Sequence, residues 1–206
     1  REEACMVYVP TTDETLVMDG SCASCRDLWG YKYAANTWVR KDTLGSWTRP
    51  PGRRTHSMIF IPSINRVMRF GGKSHDGSTF LGDTWLYDPV ANQWTNATPP
   101  GSPPGRLAPG LAYDTRNNVV LMEGGYGDGG PINDTWVYHP DTNLWEKLYP
   151  PTSPGAFGRW SWRLAYDQSN GVFMIWEDAG SMWAFRYVPS GQPQDQIARG
   201  AIRDLR

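Results

Sequence analysis

The phrase GDTWLYDPVANQW, from Gly82 to Trp94, returns fifty-one residues later as NDTWVYHPDTNLW, from Asn133 to Trp145. A chain that restates a phrase at such a period builds one supersecondary unit several times over, which limits the fold more than any single motif. Other markers keep the same phase. Arg1, Arg53, Arg106 and Arg159 each stand seven residues before an aromatic, at Tyr8, Phe60, Tyr113 and Tyr166. Eleven residues after each aromatic comes a pair: Asp19-Gly20, Gly71-Gly72, Gly124-Gly125 and Glu177-Asp178. A Trp-x-aromatic triplet follows, beginning at Trp29, Trp85, Trp136 and Trp183. Nine residues on stands a second tryptophan, Trp38, Trp94 or Trp145; the fourth unit has Gln192 there. The chain divides into four units, about 1–52, 53–105, 106–158 and 159–189, followed by a polar C-terminal tail or linker, 190–206.

Each unit reads as four short strands. In the second they are expected at Thr55–Ile61, Arg66–Phe70, Thr84–Tyr87 and Gln93–Asn96. The 22 glycines and 17 prolines interrupt any helix and favour strands joined by turns. The connections between units, TRPPGR, TPPGSPPGR and YPPTSPGAFGR, are too rich in proline for interior strands, because proline fixes φ and lacks the N–H that a sheet needs. They suit stiff crossovers from the outer edge of one sheet to the inner strand of the next. A four-stranded unit of this size cannot bury both faces alone, whereas units stacked around an axis can. The expected fold is therefore all-β, a β-propeller of four four-stranded blades with tryptophans packed between them. Burying one such ring contributes on the order of 4–6 kcal/mol as an upper bound.

The segments RFGG followed by GDTWLYDPVANQW, and LMEGG followed by NDTWVYHPDTNLW, resemble Kelch repeats, whose marks are the double glycine, the spaced tyrosine and the tryptophan. The resemblance runs from about Arg1 to Pro189. It is close in units two and three and weaker in units one and four, where Asp19-Gly20 and Glu177-Asp178 replace Gly-Gly. Phrases such as LAYDTRNNVVLMEGG look most like bacterial, often exported, members. The resemblance implies a Kelch-like β-propeller, and Kelch propellers usually have more than four blades. Three arrangements stay open: part of a larger ring in a longer chain, a ring completed by a second copy, or four blades that close alone.

With 20 basic and 21 acidic residues, the chain offers no basic field for nucleic acid. No apolar run reaches the ~18–20 residues of a membrane-spanning helix, so membrane insertion is not expected. Arg1 stands where an initiator methionine would be, which reads as a processed or excised piece; an extracellular or periplasmic location is the expectation. Cys22 and Cys25 have the C-x-x-C spacing but no second pair to complete a zinc site, so a surface-loop disulfide or free thiols are expected. His56, His75 and His139 fall at three different phases of the repeat, and neither a metal nor another cofactor is expected. His139 reads as a turn residue, and His56 as the start of an inner strand facing an axial channel.

No nucleophile elbow, P-loop or zinc-protease motif is present, and no catalytic residue is assigned. The variable parts are the connections after each second strand, GSCASCRD, GGKSHDGSTFLGD, GGYGDGGPIND and EDAGS. Variable loops on a rigid frame are the usual place for binding. Their candidates are Lys73, His75, Asp76, Tyr126 and Asp128; Gly125 to Asp134 reads as a flexible loop. The arginines Arg1, Arg53, Arg106 and Arg159 have two readings: a ring at the channel rim that binds an anion, or donors to backbone carbonyls in their own crossovers. The resemblance implies a non-catalytic binding or assembly module recognising a protein or glycan partner. Two alternatives are a carbohydrate-active enzyme, galactose oxidase-like or sugar isomerase-like, in a complete ring, and a structural part of a larger assembly or fibre formed by self-association.

Overall fold

Each of the four units forms one antiparallel sheet of four strands. The computed structural model describes residues 2–21, 26–41, 48–150, 163–176, 182–189 and 198–200. The first sheet comprises β1 (Cys5–Val9), β2 (Glu14–Met18), β3 (Leu28–Lys32) and β4 (Thr37–Arg40). A short β5 (Arg53–Arg54) precedes the second, which holds β6 (Ser57–Ile61), β7 (Arg66–Phe70), β9 (Thr84–Asp88) and β10 (Gln93–Asn96); β8 (Lys73–Ser74) pairs with β5. The third holds β11 (Gly110–Asp114), β12 (Val119–Gly127), β13 (Gly130–His139) and β14 (Leu144–Leu148). The fourth holds β15 (Arg163–Asp167), β16 (Val172–Trp176), β17 (Met182–Phe185) and β18 (Ala198–Gly200), so its outer strand lies within 190–206. Among the described residues the helical content is one 3-10 turn at Pro62–Ile64, and no helix is long and apolar enough to cross a membrane.

The hairpin turns explain the spacing of tyrosine and asparagine. Tyr31, Tyr87, Tyr113 and Tyr138 each donate the phenol hydroxyl to the asparagine five residues on, at 2.7, 2.6, 2.7 and 2.8 Å. Those asparagines, Asn36, Asn92, Asn118 and Asn143, take φ of 48, 58, 54 and 54°, a left-handed conformation that asparagine tolerates and β-branched residues do not. Tyr8 and Asp13 (φ 48°) use the same device. The tyrosine is thus both core ring and turn lock. Its ring meets the second tryptophan of the unit across the sheet, with centroids 5.1 Å apart for Tyr31–Trp38 and Tyr87–Trp94 and 5.2 Å for Tyr138–Trp145.

The chain separates into two units, Arg1–Leu107 and Ala108–Arg206. In the first, Val9, Leu16, Met18 and Leu28 of the first sheet bury themselves against Met58, Val67, Trp85, Tyr87 and Trp94 of the second. In the second unit, Ala112, Val119, Leu121 and Val137 pack on Phe173, Ile175, Trp183 and Phe185. An aliphatic back meets an aromatic front each time. Within the first unit the second tryptophans differ accordingly: Trp94 is 5% exposed, but Trp38, on the front of the first sheet, is 53% exposed.

Three local expectations change. Gly125 to Asp134 is no flexible loop: β12 and β13 run on as a hairpin, pairing Gly125 with Ile132, Tyr126 with Pro131 and Gly127 with Gly130 after a bulge between Glu123 and Gly125. Backbone pairing outlasts the loss of apolar alternation there, which the glycines had masked. His139 ends β13, paired with Leu144, and its Nε2 lies 3.0 Å from a Glu146 carboxylate oxygen. His56 is buried just before β6.

Candidate functional site

The connection 71–83, between β7 and β9, is held on both sides by proline-rich crossovers. On one side, Arg53 and Arg54 pair with Ser74 and Lys73. On the other, the Gly72 N–H donates to the Arg106 carbonyl at 2.7 Å, and the Arg106 N–H to the Leu81 carbonyl at 3.1 Å. Leu81 N–H in turn donates to Gly72 O at 2.9 Å. Contact is so close that a Cβ on Gly105 would strike the Phe80 carbonyl, and one on Gly82 would lie 2.8 Å from the Pro103 oxygen. Within the loop, Asp76 accepts from the Ser74 and Ser78 hydroxyls and the Ser78 N–H, bonds that pull its carboxyl down to about 2. The Lys73 ammonium lies 4.5 Å from the centre of the Phe80 ring.

Below this loop lies a buried polar cluster. Arg53 is fully buried and forms a two-point ion pair with Asp83, one contact at 2.7 Å. It also donates Nε to Pro51 O at 3.1 Å and Nη1 to Gly71 O at 3.0 Å. Asp83 further accepts from the Trp85 indole at 2.6 Å, a bond repeated by Asp27–Trp29 at 2.7 Å and Asp134–Trp136 at 2.8 Å. Burial pulls the Asp83 carboxyl up, but Arg53 and the indole N–H together hold it below its usual value. Arg69 of β7 is also fully buried and pairs with Asp19, whose other partner is the Arg53 N–H at 3.1 Å. Asp19 takes φ 55°, the left-handed position held by Gly71 (73°) and Gly124 (61°) in their sheets. Among the described residues, Arg69 Nε and Nη1, Asp19 Oδ1 and both His56 ring nitrogens have no hydrogen-bond partner. Burial lowers Arg69 to about 9, with Asp19 opposing, and raises Asp19. Burial first, then the Arg69 and Arg53 charges, hold His56 neutral.

Beside the loop opens a cleft of about 570 Å³ whose lining includes Arg26, Asp27, Arg40, Arg49 and Gly52. The three arginines are exposed. Gly52 makes the junction between cleft and loop: a Cβ there would lie 2.6 Å from both Arg26 Cγ and His75 Cδ2.

Lys73, His75 and Asp76 therefore sit together in one clamped loop. Tyr126 and Asp128 sit in the β12–β13 hairpin of the other unit, Tyr126 exposed and Asp128 in the turn between Gly127 and Gly130. Arg53 and Arg106 are both fully buried, Arg106 donating Nε to Pro104 O at 3.0 Å, so their observed acceptors include crossover carbonyls. Arg1, Arg159, Cys22 and Cys25 lie outside the described residues. Cys5 is a free thiol, raised by burial. Among the described residues, no three of His, Cys, Asp and Glu come together as a metal site. Sequence reasoning passed over Arg69, Asp19, Asp83 and the cleft. The signal for Arg69 was a charge in the apolar run RVMRF; the arginines of the cleft are separated in sequence and meet only in the fold.

The Kelch-repeats domain model described as KLHDC2/KLHL20/DRC7 matches residues 4–174. The chain belongs to the Kelch-repeat family. A solved Kelch structure, titled "Structure of YjhT", superposes with a TM-score of 0.64 at 16% identity, covering 90% of this chain and 60% of that one, which supports the propeller fold alone. Among curated proteins, this Kelch chain is 33% identical over 108 residues to tRNA wybutosine-synthesizing protein 4 of Aspergillus fumigatus, covering 49% of this chain and 10% of that protein. It is 36% identical over 98 residues to human multiple epidermal growth factor-like domains protein 8, covering 47% of this chain and 3% of that one. The chain thus spans a tenth or less of either relative's length. Kelch domains generally mediate protein interactions, and this fold is consistent with a protein-binding scaffold.

Proposed function

We propose that this Kelch chain is a non-catalytic binding module that holds an acidic segment of a protein partner in the cleft beside the 71–83 loop. The observation that carries this reading is the cleft itself, whose lining carries three exposed arginines against one aspartate beside the doubly clamped loop. Guanidinium groups recognise carboxylates in a two-point geometry, and a preformed loop loses little entropy on binding.

The test is a selection of random twelve-residue peptides on the immobilised chain, repeated on Arg26→Ser/Arg40→Ser/Arg49→Ser. Acidic peptides should dominate the first selection and bind more weakly as salt rises, because exposed charge pairs are screened. They should vanish from the second. Binders without acidic enrichment, or acidic binders indifferent to the triple substitution, would overturn the reading.

A further inference from the structure

The first sheet presents an aromatic front to solvent. Its cross-strand pairs place Met6, Tyr8, Thr15, Val17, Trp29, Tyr31 and Trp38 on one face, with Arg40 at its edge opposite Trp29. In the second sheet the same lattice positions hold Met58, Phe60, Val67, Arg69, Trp85, Tyr87 and Trp94. That second face is covered by the aliphatic back of the first sheet. In the first sheet, Met6 is 64% and Tyr8 and Trp38 are each 53% exposed. Contiguous apolar surface of this kind marks an interaction site. The repeat also states what chemistry covers such a front: an aliphatic sheet back carrying residues like Val9, Leu16 and Met18.

The fourth sheet has a partly exposed back of that kind. Its cross-strand pairs place Ala165, Val172, Met174, Trp176, Met182 and Ala184 on one face, with Arg163 and Asp167 at the two ends of its inner strand. Met174 and Trp176 hold the lattice positions of Leu16 and Met18, and Trp176 is 46% exposed. The opposite face of this sheet, with Phe173 and Ile175, is the one already buried.

We propose that the front of the first sheet docks on the back of the fourth sheet of a second copy of this chain, reproducing between copies the front-to-back packing seen between the first and second sheets. Such a contact is heterologous, because two different patches meet. Arg40 joins the front of the first sheet to the cleft, being paired with Trp29 and lining the cleft as well. No acidic segment takes part in the contact, and the peptide selection and the native mass read the two proposals by different measurements.

Native mass spectrometry and sedimentation of the chain at 1–50 µM test it, with Met6→Glu/Trp38→Glu as front variant and Met174→Glu/Ala184→Glu as back variant. Wild type should show at least twice the chain mass. Each variant alone should be monomeric with an unchanged far-ultraviolet spectrum. A mixture of the two should recover a single contact, between the intact front of the back variant and the intact back of the front variant. Tyr8→Cys mixed with Met174→Cys should form a disulfide between copies under mild oxidation. A monomeric wild type at 50 µM, or an assembly that survives the front substitutions, would overturn the proposal. So would absence of that disulfide in an assembled mixture.

Discussion

The Arg69–Asp19 pair joins the first two sheets through two fully buried charges, and a double-mutant cycle reads what it is worth. The substitutions come from the repeat: Gly71 and Gly124 hold the position of Asp19 in their sheets, and Met122 that of Arg69. Asp19→Gly strands a buried guanidinium, at a cost of about 3–5 kcal/mol. It regains up to ~1 kcal/mol by relieving the left-handed aspartate. The net loss is therefore about 2–4 kcal/mol, and Arg69→Met should cost about 3 kcal/mol by leaving the carboxylate buried against one N–H. Burial penalises both charged forms, raising Asp19 and lowering Arg69 to about 9, and two of the three guanidinium nitrogens lack partners among the described residues. The pair thus recovers little of its desolvation cost. The double variant should fall within about 1 kcal/mol of wild type, the remaining deficit being the Arg53 N–H that loses Asp19. Urea unfolding followed by tryptophan fluorescence measures all four corners. A coupling below about 0.5 kcal/mol, the additive limit, would refute the reasoning.

His56 sets a pH dependence. Its pKa is lowered in the fold, so below about pH 6.5 the unfolded chain binds a proton that the folded chain refuses. Stability is full above pH 6.5 and should fall by up to ~1.4 kcal/mol per unit from there towards pH 5; His56→Gln should flatten the slope in urea titrations across that window. The loop clamp predicts that Gly105→Ala, driven into the Phe80 carbonyl, costs more than about 2 kcal/mol in thermal unfolding. Gly101→Ala, with φ 75° and open space around it, should cost only about 1 kcal/mol. Hydrogen exchange should show the Gly125 and Gly127 amides slowed by hairpin pairing rather than exchanging at the rate of an open loop.

What the sequence made legible was whatever repeats. Strands β7 and β10 were placed to the residue and β9 to within one, because alternation and the Trp-x-Tyr phase both mark them. β6 begins at Ser57 rather than Thr55, because Thr55 takes φ 53° and His56 turns inward. The Tyr–Asn locks lay in plain view at five-residue spacing, yet their role needs the left-handed turn to be seen. The cleft was illegible for a different reason. Arg26, Arg40 and Arg49 follow no period, and what joins them is the approach of a crossover to two strand ends.

Charges that break the repeat follow a rule of their own. At three successive lattice positions the first three sheets read Val17-Met18-Asp19, Arg69-Phe70-Gly71 and Met122-Glu123-Gly124. Each sheet carries one charge, and each carries it at a different position. Asp19 meets Arg69 across a junction, whereas Glu123 accepts from Thr135 within its own sheet at 2.6 Å. Near-identical sheets invite pairing with the wrong neighbour during folding, and a pair that fits at one junction penalises the alternatives. The expected consequence separates specificity from stability. Asp19→Gly/Arg69→Met should unfold near the wild-type urea midpoint yet refold from 8 M urea with a lower soluble yield, falling further as protein concentration rises from 1 to 20 µM. Centrifugation and the intrinsic fluorescence of the supernatant measure that yield. An unchanged yield across this range would mean that the buried pair contributes nothing to the order of the sheets, and that the aromatic fronts alone select their partners.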